Sequence, residues 1–109
     1  MSWDLCLVID AGGESPAIIE EYEDNITWNL QEMLSKATKL DGFRTLDGMI
    51  AKYAIPILDT AIKDMKAKPK IYKKLNPHNG WGTYEVALDS LEKLLCACVE
   101  NPKATIRIQ

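Results

Sequence analysis

The sequence predicts a small α+β domain in which the two ends of the chain pair in a two- or three-stranded sheet, packed against three or four helices. Residues 3–9, Trp-Asp-Leu-Cys-Leu-Val-Ile, form an apolar run rich in strand-forming residues. Residues 104–108 alternate between apolar and polar side chains, which is typical of a half-exposed strand. Between them, apolar residues recur at helical spacing. A chain of 109 residues with 47% hydrophobic and 27% charged side chains is expected to form one domain over residues 1–109.

The N-terminal region is predicted to supply the centre and one edge of the sheet. Both faces of residues 3–9 are largely apolar, so this strand is expected to be central and covered by helices on at least one side. A turn is predicted at residues 10–13, Asp-Ala-Gly-Gly. Residues 15–26 include four acids between Glu20 and Asp24, and charge on a strand discourages pairing with other chains. We therefore expect an edge strand or an extended segment there.

The first and last helices have clear sequence signals at their ends. Asn25 or Thr27 can cap the first helix, and Thr83 can cap the last. The last helix is expected to end at residues 101–102, Asn-Pro. The apolar face of the first helix has four members at helical spacing: Leu30, Met33, Leu34 and Ala37.

The middle helical stretch contains a proline. This stretch is predicted to open at Thr45 and to end before Pro69. Pro56 lies inside it, where a proline removes a backbone hydrogen bond and costs about 3 kcal/mol. Either one helix kinks at Pro56, or a short helix ends near Tyr53 and another begins with Pro56 in its first turn. We favour the second arrangement, with one further helical turn at residues 70–75.

The charge of the chain is divided between two regions. Residues 1–35 carry eight acidic side chains and no lysine or arginine, whereas the other 74 residues hold all thirteen basic groups and eight acids. Charge layout bears on partners and association rates, so we expect the protein to meet another charged macromolecule. Six lysines fall within residues 63–74, but the net charge is −3 and only two residues are arginine. A solvated helix end is therefore favoured there over direct binding of nucleic acid.

No set of residues predicts a catalytic or metal site. His78 is the single histidine, and it falls in a loop where a solvated side chain is more typical than a general base. Cys96 and Cys98 are two residues apart on a predicted helix, so they point about 200° apart and cannot hold one zinc ion together. We expect buried free thiols, no cofactor and no enzymatic activity.

The chain is expected to be cytoplasmic and to have no contact with membranes. No apolar run approaches the roughly 20 residues that a membrane span needs. The start, Met-Ser-Trp-Asp, lacks the basic region of a signal peptide. Three cysteines without paired spacing also do not form a disulfide framework.

Three motifs together carry a resemblance to a known family. They are residues 25–29 (Asn-Ile-Thr-Trp-Asn), residues 41–49 (Asp-Gly-Phe-Arg-Thr-Leu-Asp-Gly-Met) and residues 76–84 (Asn-Pro-His-Asn-Gly-Trp-Gly-Thr-Tyr). Over residues 25–105 the set resembles a family of small bacteriophage and mobile-element proteins for which no activity is established. The resemblance implies a phage origin and a place of action in the cytoplasm of a bacterial host. Small phage proteins without catalytic residues often inhibit host immunity, as anti-CRISPR or other anti-defence proteins do.

The first functional hypothesis is an inhibitor that contacts a host protein. Glu20, Glu21, Glu23 and Asp24 would form an acidic face that occupies a basic surface, for example the nucleic-acid channel of a defence complex. Trp81, which lies between two glycines, would anchor the same interface. The alternatives are a solvated acidic edge and a Trp81 that packs on the core; for Trp81 we favour packing.

The second hypothesis is a protein that sequesters a nucleotide. Polar side chains of the three motifs lie near predicted helix starts, which attract anions. They would line a pocket for a small anionic ligand: Asn25, Thr27, Asn29, Arg44, Asn79 and Tyr84. The alternative, which we favour, is that the Asn and Thr side chains cap helices and that Arg44 pairs with a nearby acid. A third hypothesis is a phage protein with a housekeeping role of unknown kind.

Overall fold

The described residues form a three-stranded antiparallel sheet with four α-helices packed against it. This computed structural model describes residues 1–10, 12–13 and 16–109. The predicted α+β fold with paired chain ends is confirmed. The predicted turn at residues 10–13 and the start of the predicted segment 15–26 fall partly outside the described residues. The strands are β1 (Ser2–Ile9), β2 (Ala17–Thr27) and β3 (Thr105–Ile108), in the order β2-β1-β3, and the helices are α1 (Gln31–Thr38), α2 (Ala51–Ala67), α3 (Pro69–Lys73) and α4 (Tyr84–Glu100).

β1 is the central strand, as its composition predicts. Leu5 pairs with Asp24 of β2 on one side and with Ile108 of β3 on the other. Because successive side chains alternate across a sheet, Trp3, Leu5 and Leu7 all face the helices, and each is at most 3% exposed. These residues belong to one core cluster with the buried faces of α1, α2 and α4.

β2 is an edge strand, which confirms the prediction for this region. Its one neighbour within the described sheet is β1. Cys6 of β1 pairs with Glu23, but Val8, two residues further on, pairs with Ile18. β2 therefore uses more residues than β1 over the same distance, as at a β-bulge, and this irregularity disrupts the ladder locally.

α2 continues through Pro56, so the predicted division into two helices is wrong. Pro56 cannot donate the backbone hydrogen bond that Lys52 would accept in a regular helix. Pro56 and Lys52 are both exposed, so water can satisfy the carbonyl that is left over. The opposite face of the same helix, which includes Ala54 and Leu58, is fully buried. This burial favours one continuous helix over two short ones.

Thr45 does not open the middle helix as predicted. It lies in a short 3-10 turn, Phe43–Leu46, and α2 begins six residues later, at Ala51. The aromatic ring of Phe43 is fully buried, which holds the turn against the core. Residues 47–50 then run alongside β3 before the helix starts, as described below.

The predicted helix caps are confirmed. The side chain of Thr27 accepts a hydrogen bond from the backbone of Asn29, at the start of the 3-10 turn that leads into α1. The side chain of Thr83 accepts one from the backbone of Val86 in the first turn of α4. The predicted extra turn after α2 is α3. None of the described helices is long and apolar enough to cross a membrane.

Candidate functional site

The outer edge of β3 is covered by the segment of residues 47–50. The backbone N–H of Gly48 donates to the carbonyl of Ile106 at 2.8 Å, and the N–H of Ile106 donates to the carbonyl of Met49 at 2.9 Å. Oδ1 of Asp47 accepts from the backbone N–H of Ile108 at 2.8 Å. The outward-facing backbone groups of β3 are thus used within the protein.

The outer edge of β2 is open. Asp4 exchanges two backbone hydrogen bonds with Gln109, so its backbone faces β3, and that of its neighbour Leu5 faces β2. Asp24, which pairs with Leu5, therefore points its backbone inward. The backbone groups of Glu23 and Asn25 consequently point outward. Within the described residues, no backbone–backbone hydrogen bond reaches this side of β2, and the Asn25 N–H donates to the side chain of its neighbour Asp24.

Three exposed carboxylates lie along this open edge, and we call Glu20, Glu21 and Glu23 the acidic edge. No ion pair between them and a lysine or arginine occurs in the described part of the chain. Five lysines in or next to the helices are instead paired with acids of the helices. These pairs are Lys63–Asp59, Lys66–Glu92, Lys68–Asp64, Lys73–Glu85 and Lys93–Asp89, at 2.9 to 3.8 Å. The negative charge of the acidic edge is therefore directed at solvent.

Asp24 does not belong to the acidic edge, although the sequence grouped it with the three glutamates. It is half-buried, Oδ1 accepts from the backbone N–H of Asn25 at 2.8 Å, and Oδ2 is buried without a hydrogen-bond partner among the described residues. Its charge helps to raise the pKa of Lys93, after the larger contribution of Asp89. Burial, with the charge of Asp24, also raises the pKa of the Tyr22 hydroxyl.

The loop before α4 is fixed to the end of β2 by a chain of hydrogen bonds. Nδ2 of Asn79 donates to Oδ1 of Asn29 at 3.3 Å, and Nδ2 of Asn29 donates to Oγ1 of Thr27 at 2.9 Å. Oδ1 of Asn79 accepts from the backbone N–H of Trp81 at 2.9 Å. Gly82 follows with a φ of +108°, and a Cβ there would lie 2.9 Å from side-chain atoms of Leu30 and Thr27. Thr27, Asn29 and Asn79 thus satisfy one another and hold the loop in place.

The other predicted pocket residues lie elsewhere. The hydroxyl of Tyr84 donates to the carbonyl of Met65 in the core at 2.7 Å. Nδ2 of Asn25 donates to Asp4 at 2.7 Å, on the helix-free face of the sheet. Arg44 donates to the carbonyl of Ile108 at 3.3 Å and lies 3.9 Å from Asp47. The structure thus brings Thr27, Asn29 and Asn79 together but places Asn25, Arg44 and Tyr84 in separate surroundings, and all six side chains are occupied by contacts within the protein.

Trp81 is 66% exposed, so the favoured prediction that it packs on the core is wrong. Its backbone is held by the side chain of Asn79, and the close contact of Gly82 with Leu30 fixes the next residue. These contacts order the loop without burying the indole ring. Trp81 is therefore available to a partner.

An aromatic cleft that sequence reasoning missed lies where the 3-10 turns meet the start of β1. Its volume is about 290 Å³. The signal that could have found it is Trp28, the aromatic residue of the Asn-Ile-Thr-Trp-Asn motif, which is 44% exposed. We call this site, with the following lining residues, the aromatic cleft: Trp3, Trp28, Gln31, Gly42, Phe43 and Arg44.

The three cysteines are free thiols in different surroundings. Cys98 is buried and Cys6 is half-buried, but Cys96 is exposed, so the expectation of burial is wrong for Cys96. Burial raises the pKa of the Cys98 thiol to about 11 and also raises the pKa of Cys6. Both thiols are therefore protonated at neutral pH and are weak nucleophiles.

Within the described residues, no group of three or more His, Cys, Asp or Glu side chains is arranged to hold a metal ion. The chain matches no protein-family model, no curated protein and no solved structure. The resemblance of the three motifs to phage proteins stays a prediction.

Proposed function

We propose that this protein is a small inhibitor that binds a basic surface of a host protein through the acidic edge. The observation that carries the proposal is the position of Glu20, Glu21 and Glu23. All three are exposed on a strand whose outer backbone is open, and none forms an ion pair with a described lysine or arginine. A partner can therefore meet this charge without first displacing an internal salt bridge.

The charge of the acidic edge would act mainly on recognition and association rate. Exposed charges accelerate the encounter with an oppositely charged surface and disfavour partners of like charge. An exposed ion pair by itself contributes only about 0–1 kcal/mol. Most of the affinity must then come from other contacts, and the exposed ring of Trp81 is a candidate anchor because tryptophan is enriched among the residues that dominate binding energy.

The open backbone of β2 offers a second source of affinity. The N–H and C=O groups of Glu23 and Asn25 point away from β1, and the Asn25 N–H donates to the side chain of Asp24. An extended segment of the partner can add to the sheet as a further strand if it displaces this one side-chain contact. A segment with lysine or arginine opposite Glu23 would place positive charge next to the acidic edge. The irregular stretch beyond Glu23, towards Ile18, limits such pairing to the regular part of the strand.

The class of partner follows from the chemistry of the acidic edge. Channels that hold nucleic acid are lined with lysine and arginine that neutralise phosphates, and a row of carboxylates competes for the same cations. Occupation of such a channel would inhibit a nucleic-acid-binding defence complex. This is the activity expected from the resemblance to small phage proteins.

Charge reversal of the acidic edge tests the proposal. Glu20, Glu21 and Glu23 are changed together to Lys, and the wild type and variant are used to capture partners from a phage-infected bacterial host, with mass spectrometry as the readout. We expect a basic partner to bind the wild type and to be lost with the variant. The purified partner should then lose nucleic-acid binding when the wild type is added, and the association rate should fall as salt rises.

A matched control changes the same amount of charge elsewhere. Glu32, Asp41 and Glu85 are exposed and lie outside β2 and outside the cleft that β2 shares with α4, so their joint change to Lys should preserve partner capture. A second variant, Glu23→Pro, removes an outward N–H but no bond of the sheet and should weaken binding if a partner strand pairs there. Equal capture by the wild type and by the charge-reversed acidic edge would refute the proposal.

A further inference from the structure

We infer that the aromatic cleft binds a free nucleoside monophosphate, with the base stacked on Trp28 and the phosphate held by Arg44. This site is distinct from the acidic edge and from the hydrogen-bonded group of Thr27, Asn29 and Asn79. Its test does not depend on either of them. Of the six residues expected to form a nucleotide pocket, only Arg44 lines the aromatic cleft.

The floor of the aromatic cleft is rigid and one of its rings is open. Trp3 and Phe43 are 3% and 0% exposed, and their ring centroids are 5.4 Å apart. The ring of Trp28 lies against Trp3, with centroids 6.3 Å apart and planes tilted by 41°. Because 44% of Trp28 remains exposed, part of its indole surface is free to stack on a planar ligand.

Trp28 is also held in position before any ligand arrives. Its backbone N–H donates to the carbonyl of Met1 at 3.0 Å, and it follows Thr27, whose side chain caps the 3-10 turn. A backbone that is already ordered loses little conformational freedom on binding, which favours affinity.

Arg44 supplies the positive charge of the aromatic cleft. Nη2 is the atom that contacts the carbonyl of Ile108 and approaches Asp47. The side chain is 60% exposed, and a guanidinium carries five N–H donors, so donors remain for an anion. Gln31 adds an amide that can hydrogen-bond to the edge of a base.

Size and charge point to a mononucleotide rather than a nucleic-acid strand. A volume of about 290 Å³ is at the small end of the range for ligand sites. One guanidinium matches one phosphate, and Arg44 is the one basic residue that lines the aromatic cleft. The net charge of −3 disfavours a long polyanion. A planar ring that carries a single anionic group is the ligand that fits these conditions.

Gly42 provides a way to close the aromatic cleft. A Cβ built at Gly42 meets no atom within 4 Å, and the φ of −164° is extended backbone that any residue can adopt. Gly42→Leu should therefore fill the aromatic cleft without strain and without change to Trp28 or Arg44.

Titration calorimetry and tryptophan fluorescence test the inference with AMP, GMP, CMP and UMP and with their nucleosides. We expect at least one nucleotide to bind, to quench the tryptophan fluorescence and to raise the melting temperature. Its nucleoside should bind at least about tenfold more weakly, because it lacks the phosphate that contacts Arg44. Trp28→Ala should raise the Kd at least about fivefold. Gly42→Leu and Arg44→Gln should each raise the Kd by at least the same factor as Trp28→Ala.

The chain contains a matched control for each key residue. Trp81 is the other strongly exposed tryptophan and Arg107 is the other arginine, on the exposed face of β3. Neither lines the aromatic cleft. Trp81→Ala and Arg107→Gln should therefore leave the Kd unchanged, which separates a local effect from general loss of an aromatic ring or a charge.

Several outcomes would overturn the inference. They are the absence of binding by every nucleotide, equal binding of nucleotide and nucleoside, and an unaltered Kd in Gly42→Leu. Tighter binding of a short single-stranded oligonucleotide than of its mononucleotide would overturn the assignment to a free ligand. If nucleotide binding were lost in the variant with the charge-reversed acidic edge but kept in the variants of the aromatic cleft, the site would lie on β2 instead.

Discussion

The outer edge of β3 is covered by residues 47–50, whereas the outer edge of β2 is open and lined by carboxylates. On β3, backbone groups of Gly48 and Met49 and a side-chain oxygen of Asp47 take up the outward hydrogen bonds. On β2, no other segment of the described chain covers the corresponding groups of Glu23 and Asn25, and the Asn25 N–H bonds only to the side chain of its neighbour Asp24. One small sheet therefore contains two different solutions to the problem of an exposed strand edge.

The difference indicates which edge can serve a partner. An edge that is hydrogen-bonded to its own chain cannot pair with another strand unless the covering segment first detaches. An open edge with charge resists pairing with uncharged or acidic strands but still accepts a basic one. Solubility and selective binding can therefore have the same cause, the three glutamates of the acidic edge.

The largest loss of stability is expected at the C-terminal end of β2, where Gly82 packs closely against Leu30 and Thr27. Gly82→Ala places a Cβ within 2.9 Å of Leu30 and Thr27 at a φ of +108°. Overpacking and an unfavourable backbone together should destabilise the protein by roughly 2–5 kcal/mol, measured by urea unfolding.

The control for this change is Gly80→Ala. Gly80 also has a positive φ, of +76°, but a Cβ there meets no atom within 4 Å. It should carry the backbone cost alone, about 1–2 kcal/mol. Equal destabilisation by the two substitutions would contradict the view that close packing of Gly82 fixes the end of β2.

An intermediate effect is expected at the covered edge of β3. Asp47→Ala removes the acceptor of the Ile108 N–H, which would then have lost its partner in a half-buried position. The cost should be roughly 1.5–3 kcal/mol, the range for a hydrogen bond to a charged group. Asp47→Asn keeps an acceptor oxygen, so it should be less destabilising in the same urea titration. If Asp47→Asn lowered the free energy of unfolding as much as Asp47→Ala, the charge of Asp47 and not its hydrogen bond would be the source of the stability.

The smallest effect on stability is expected from neutralising the acidic edge. Changing Glu20, Glu21 and Glu23 to Gln removes no ion pair of the described residues, so the free energy of unfolding should change by about 0.5 kcal/mol or less. Self-association should increase, because uncharged open edges pair with one another. Sedimentation velocity measures this, and the joint change of Glu32, Asp41 and Glu85 to Gln is the control. A variant that stays monomeric at high concentration would show that charge is not what protects β2.

Much of the fold follows from local signals in the sequence. The alternation of apolar and polar side chains at residues 104–108 predicted β3, and the apolar run at residues 3–9 predicted the central position of β1. The four acids at residues 20–24 predicted that β2 lies at an edge. Thr27 and Thr83 were recognisable as caps because a side-chain oxygen at that position satisfies a free backbone N–H. The candidate site was predicted in part: three of the four acids are exposed together, but Asp24 is not, since strand alternation turns it towards the helices.

The sequence by itself determined the class of the fold, the strand character of the chain ends and the helix caps, because these depend on residue periodicity and on bonds between near neighbours. The tertiary structure alone decided that α2 passes through Pro56, that residues 47–50 cover β3, that Trp81 is exposed and that Trp28 borders a cleft. Each of these depends on which surface of a segment faces the core. That choice is made by contacts between residues far apart in the chain, and no local pattern records it.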